Sequence, residues 1–143
     1  MEESSLYSIA GHTLCVVGTP EVTGLKTLPG FPVFRIEEGT AEWTVRFGCD
    51  VAEPEGGTVL STFDFEGGVI HSRFVRKDDE YYYVMEPADV SVPTMVLHYG
   101  GGDHVEATRA ANATMLRFSL WMSVGVMGMA SGMLLIHSST IVH

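Results

Sequence analysis

Residues 58–86 read "TVLSTFDFEGGVIHSRFVRKDDEYYYVME", and their reading decides the fold. Three apolar and β-branched runs are separated by "EGG" at 66–68 and "KDDE" at 77–80, and both links carry turn-forming residues. Links this short force the strands to run antiparallel, so the stretch predicts a three-stranded meander. Working back toward the start of the chain, "AEWTVRF" at 41–47 alternates Ala41, Trp43, Val45 and Phe47 with Glu42, Thr44 and Arg46, as a strand with one packed and one wet face does. "FPVFRI" at 31–36 reads as a further strand, and "YSIAGHTLCVVG" at 7–18 as one strand or a bent pair. No apolar 3.6-residue period persists here, so residues 1–105 are expected to be β-rich.

Working forward, the pattern changes after the glycines at 100–102. Residues 106–131 lack proline, start with good helix formers, and set Ala110, Ala113, Met115, Leu116, Leu120, Trp121 and Val124 on one broad stripe. They predict one long helix. Residues 132–143, "GMLLIHSSTIVH", are rich in aliphatic and β-branched residues and read as a final inner strand. Strands, then a helix, then a strand make an α+β chain.

Composition bounds what such a chain does. Its 143 residues are 45% hydrophobic and 10% aromatic, enough for a core, and 18 acidic against 8 basic residues give a net charge of −10. A phosphate backbone or an anionic lipid surface is repelled by that balance, so nucleic acid is not expected as a partner. Cys15 and Cys49 form no CxxC pair, and the first 20 residues lack the basic start of a signal peptide. Two reduced, buried thiols and a cytoplasmic location are the expectation.

The run at 118–136 has 19 uncharged residues, just long enough to cross a bilayer as a helix. Ser119, Ser123, Ser131 and three glycines weigh against a span, and Gly132 before a β-branched tail reads as a helix stop. The "GMASG" spacing at 128–132 suits a membrane helix pair and equally a helix crossing a sheet closely. A core helix is the expected answer, with a membrane-tethered domain as an alternative.

Chemistry-bearing clusters are few. In "HYGGGDHVE" at 98–106, His98, His104 and Glu106 are residue types that hold zinc or non-haem iron. The histidines are separated by a glycine turn and not by a helical i, i+4 step, so a solvated turn competes with a metal site. The same glycines before a helix have the outline of a phosphate cradle. Asp103 and Glu106 stand where the anion would sit, and Asp103 as N-cap with Glu106 three residues on fits a capping box better. Tyr81 and Tyr83 share a strand face with Met85, placed to pack on Phe74 or Phe63. His12 and His71 read as single polar strand residues. Ser138 and Ser139 beside His137 make no triad, because neighbouring strand residues point to opposite faces. There is no GxSxG elbow and no cofactor motif.

The order of a long helix ending in small residues and then "GMLLIHSSTIVH" resembles the segment just upstream of the phosphate-binding loop in HPr kinase/phosphorylase and its phosphoenolpyruvate carboxykinase-like relatives. Leu134, Leu135, His137, Ser139 and Val142 match the strand of type "xLLHxSxVxx" that in these proteins leads toward a GxxxxGK[ST] loop. That loop is missing from the 143 residues, so no lysine is held against phosphates, no hydroxyl faces magnesium, and no catalytic residue of the family carries over. The resemblance implies a non-catalytic N-terminal structural or regulatory region whose partner is a C-terminal nucleotide-binding domain. It further implies a homo-oligomer formed through the apolar helix and strand when that domain is missing. A stand-alone β-rich binding module is the other class that the residues leave open.

Overall fold

In the computed structural model of the chain, residues 1–133 are described; the expected final strand from residue 134 on and all five matched positions of the resemblance lie outside them, while Gly132 and Met133, its expected first residues, belong to the end of the long helix. Among the described residues, nine strands form one sheet: β1 (Glu3–Ile9), β2 (His12–Gly18), β3 (Arg35–Ile36), β4 (Trp43–Arg46), β5 (Thr58–Phe65), β6 (Ile70–Lys77), β7 (Glu80–Pro87), β8 (Met95–Tyr99) and β9 (His104–Ala107). Two helices accompany them, α1 (Pro20–Thr23) and α2 (Ala113–Ala130). The spatial order is β3-β1-β2-β4-β9-β8-β7-β6-β5. The fold is α+β.

The 58–86 stretch is the meander its turns predict, with β5, β6 and β7 antiparallel in sequence order. "YSIAGHTLCVVG" resolves into a hairpin whose two-residue loop, Ala10 and Gly11, has φ of 50° and 81°. Positive φ at both loop positions is the turn whose twist matches paired strands, and alanine accepts it at a steric cost. "FPVFRI" departs from expectation: Pro32–Phe34 is a 3-10 turn, and only Arg35–Ile36 pairs, with β1. Proline fixes φ and lacks an N–H for a ladder, so pairing waits until it has passed.

The sheet is not antiparallel throughout. β4 lies between β2 and β9 and runs parallel to both. Its position obliges residues 47–57 to travel from the fourth place in the order to the ninth, about five strand spacings or roughly 24 Å. Eleven residues extended reach about 36 Å, so an irregular crossover suffices.

The expected helix over 106–131 is corrected at its start. His104–Ala107 is β9, and α2 begins at Ala113, with the Asn112 side chain accepting from Met115 N–H at 2.9 Å. Asp103 is no helix cap; its carbonyl accepts from the Thr44 N–H at 2.8 Å. Tertiary pairing overrides helix propensity here: Val105 and Ala107 are buried, and β9 supplies both neighbours with ladder bonds. The other end is a Schellman motif. Met133 N–H reaches Gly128 O and Gly132 N–H reaches Met129 O, with Gly132 at φ 82°, a conformation glycine adopts without strain.

α2 lies across one face of the sheet. Tyr7, Leu14, Val16, Trp43, Val45, Tyr83, Met85, Met95, Leu97 and Val105 form one core cluster with Met115, Leu116, Leu120, Val124 and Met127 of the helix. Ser119 and Ser123 are also buried, and each hydroxyl donates to a carbonyl of the preceding turn, which satisfies it without a partner on the sheet. Trp121 departs from the expected stripe and is 46% exposed. Among the described residues, no helix is long and apolar enough to cross a membrane.

Candidate functional site

Period-two alternation sends His104 and Glu106 of β9 and His98 of β8 to the face away from α2. His98 stands opposite Glu106 in the antiparallel register, so the structure brings the three predicted ligands onto one face. They do not converge as a site. His98 Nε2 turns to Glu80 Oε1 at 3.2 Å, its ring stacks on Tyr82 with centroids 4.7 Å apart, and His104 Nε2 lies 3.8 Å from Glu106 Oε1. His98 Nε2 is shielded from solvent yet makes no well-angled hydrogen bond, so its approach to Glu80 is proximity and not a directed bond. Among the described residues, no three His, Cys, Asp or Glu side chains are placed to hold a metal ion. Burial and then the Glu80 carboxylate raise the Tyr82 hydroxyl pKa, which keeps it protonated at neutral pH.

The same face carries a three-residue charged cluster that sequence reasoning missed. Arg73 on β6 holds Glu53 with two parallel bonds, Nε to Oε1 at 2.7 Å and Nη2 to Oε2 at 2.6 Å, and reaches Glu86 Oε2 at 2.8 Å. The bidentate fork lowers the Glu53 pKa and raises that of Arg73. Glu53 belongs to the crossover of residues 47–57, so the ion pair fastens that segment to the sheet. Gly57 lies where an added Cβ would come within 2.5 Å of Val75 Cγ1, a close approach that only glycine permits.

The thiols are free, as the spacing suggested, but both are half-buried where full burial was expected. Burial raises both pKa values, and Glu106 adds to that effect at Cys49, so neither is an activated nucleophile at neutral pH. His12 stacks on Trp43 at 4.4 Å and contacts Glu42 at 2.7 Å, and His71 contacts Asp64 at 2.6 Å. Tyr83 packs on Phe74 and Phe63 as the strand pattern predicts.

Two hollows remain. A cleft of about 500 Å³ opens at the start of α2, lined by Thr19, Glu21, Phe47, Arg109, Asn112 and Leu116. Its own backbone and Thr19 hold the Glu21 carboxyl low, with a smaller contribution from Arg109, and Asn112 is occupied as the helix cap. The acid and the base oppose each other, and the lining has no Cys, His or Tyr to serve as nucleophile or proton shuttle. The second hollow is a groove of about 330 Å³ between Ile9, Ala10, Phe31 and Phe34 on one side and Leu120, Trp121 and Val124 of α2 on the other. Among the described residues, those that line it are apolar. Phe34 at 52% and Trp121 at 46% exposure give it the character of an anchor pocket. Reading 31–36 as a strand hid this groove, because a strand would have sent Phe31 and Phe34 to opposite faces.

No protein-family model, no curated protein and no solved structure matches this chain.

Proposed function

We propose that the chain is the non-catalytic N-terminal region of an HPr kinase-like P-loop protein, a β-rich platform with its long helix laid across it. The observation that carries this reading is the apolar groove along α2. A large apolar hollow with a half-exposed tryptophan at its rim suits a surface that a neighbouring domain covers. On this reading the neighbour is a nucleotide-binding domain, and the platform's role is structural or regulatory: it positions that domain and shapes how a partner reaches it. The polar clusters support a non-catalytic role. Arg73, Glu53 and Glu86 satisfy one another, as do His71 and Asp64. The cell interior is the compartment that the two protonated, unpaired thiols suit.

Translating the coding DNA past His143 tests the reading. A second strand and a GxxxxGK[ST] loop within about 20 residues are expected. An immediate stop codon contradicts the proposal and leaves a binding module with the groove as its site.

A further inference from the structure

Three neighbouring strands of the sheet, β2, β4 and β9, run the same way, so their carboxyl ends lie side by side. The chain leaves those ends toward different faces. After β2 it passes through α1 to Leu25 and Leu28, which join the core cluster beneath α2, and after β9 it leads into α2 itself. After β4 it departs as the crossover of residues 47–57, which Glu53 and Gly57 fasten to the opposite face. Where the connections of parallel neighbours diverge, nothing closes over the strand ends and a crevice is left. Such crevices are where open sheets with parallel strands hold small ligands.

The cleft of about 500 Å³ occupies this position. Thr19, Glu21 and Val22 follow β2, Phe47 and Gly48 follow β4, and Arg109, Ala110 and Asn112 follow β9. Its volume falls in the range of about 300–1,000 Å³ typical of small-molecule sites. Opposite charges stand over an apolar wall, to which Val22, Phe47, Ala110 and Leu116 contribute. The Glu21 carboxyl, held low first by its own backbone and then by Thr19, is ionised at neutral pH. A carboxylate has about four acceptor positions, so Glu21 retains capacity for a further donor. Arg109 is exposed, makes no hydrogen bond or ion pair among the described residues, and acts on Glu21 only through its charge. Asn112 gives its Oδ1 to the Met115 N–H and keeps its amide donors.

We propose that this cleft binds a free α-amino acid with an apolar side chain, its ammonium on Glu21, its carboxylate on Arg109 and its side chain against Phe47 and Leu116. A simple anion is repelled by Glu21 and a simple cation by Arg109, whereas a zwitterion meets both groups and brings no net charge. The cleft shares no lining residue with the α2 groove, so the ligand site and domain docking at the groove stand or fall separately.

Titration of the isotope-labelled full chain with L-leucine and with L-phenylalanine, followed by amide NMR spectra, tests this. Two leucine analogues that each lack one charge, leucinamide and isocaproate, are titrated beside them. Saturable shifts at the Glu21, Gly48 and Arg109 amides are expected, with binding about tenfold weaker or more for both analogues. Glu21→Gln and Arg109→Gln should weaken binding of the amino acid by a similar factor. Both positions are exposed, and the dispersion of the same spectra shows that each variant is folded. Absence of saturable shifts up to about 10 mM of either amino acid overturns the proposal. So do shifts confined to the groove around Trp121, isocaproate binding as tightly as leucine, or an Arg109→Gln variant that binds like wild type.

Discussion

The two faces of this sheet are covered by different means. On one lies α2, which buries Met115, Leu120 and Met127 to 1% exposure or less against strands from both halves of the sheet. On the other lies the irregular crossover of residues 47–57, held by the Arg73 fork on Glu53, by the Cys49 N–H on the Ala107 carbonyl, and by Gly57 against Val75. A helix covers a sheet through area removed from water, which needs only that apolar residues recur at helical spacing. An irregular strap has too little apolar surface for that and relies on a few directed contacts. Loss of a helix-face residue should therefore be felt by the whole fold, and loss of a strap contact chiefly by the strap.

The sharpest way to break that contrast is Leu120→Ala. Leu120 is 1% exposed in the centre of the cluster, and its truncation should cost about 2–5 kcal/mol in chemical denaturation, lowering the midpoint without changing the slope. Gly57→Ala comes next, at about 1–3 kcal/mol, because the new methyl must push a short, buried valine aside. Limited proteolysis should then cut within 47–57 before the rest of the chain, and uniform cutting would blur the contrast.

Arg73→Ala should cost less, about 1 kcal/mol, since Arg73 and Glu53 side chains are 26% and 33% exposed and solvent screens the pair. Its pH dependence has a definite sign. The folded-state pKa of Glu53 is lowered by Arg73, so its stabilisation is present above the ordinary value of 4.5 and is lost as pH falls through the lower folded value. The gap between wild-type and variant thermal melts should thus hold steady above pH 4.5, narrow as pH falls below it, and close once pH is under the folded-state value. A constant gap would show that Arg73 acts by packing alone. The smallest effect is expected at Trp121→Phe, within about 0.5 kcal/mol, because that side chain is 46% exposed and the substitution keeps an aromatic ring beside Phe118.

The contrast also explains what the sequence discloses. The meander was legible because "EGG" and "KDDE" punctuate alternating runs, and Asp78 between β6 and β7 takes the left-handed φ of 55° that aspartate tolerates. The body of α2 was legible from its buried positions. Its start was not, because "EATRAANAT" has helix-forming composition, and only the slot between β4 and β8 makes Glu106 a strand residue. The parallel neighbours of β4 were hidden for a similar reason, since nothing in "AEWTVRF" records which strands flank it. The strap was the least legible element. "CDVAEPEGG" has no period, and the partners of Glu53 and Gly57 lie about 20 residues further on, at Arg73 and Val75. Of the candidate site, the residue types at His98, His104 and Glu106 were visible, whereas the capture of His98 by Glu80 was not. The α2 groove depends on Phe31 and Phe34 flanking a 3-10 turn, which strand-like composition concealed.

On the proposed function, the outer side of α2 is the docking surface for a nucleotide-binding domain. The two tryptophans of the chain provide the test, because Trp43 is 3% exposed and Trp121 is 46% exposed. Acrylamide quenching should be measured on this chain and on the chain lengthened by its own downstream coding sequence, with Trp121→Phe variants isolating the Trp43 signal. Trp121 is expected to be readily quenched in the 143-residue chain and to fall to the level of Trp43 in the longer protein. Equal quenching of Trp121 in both would contradict it.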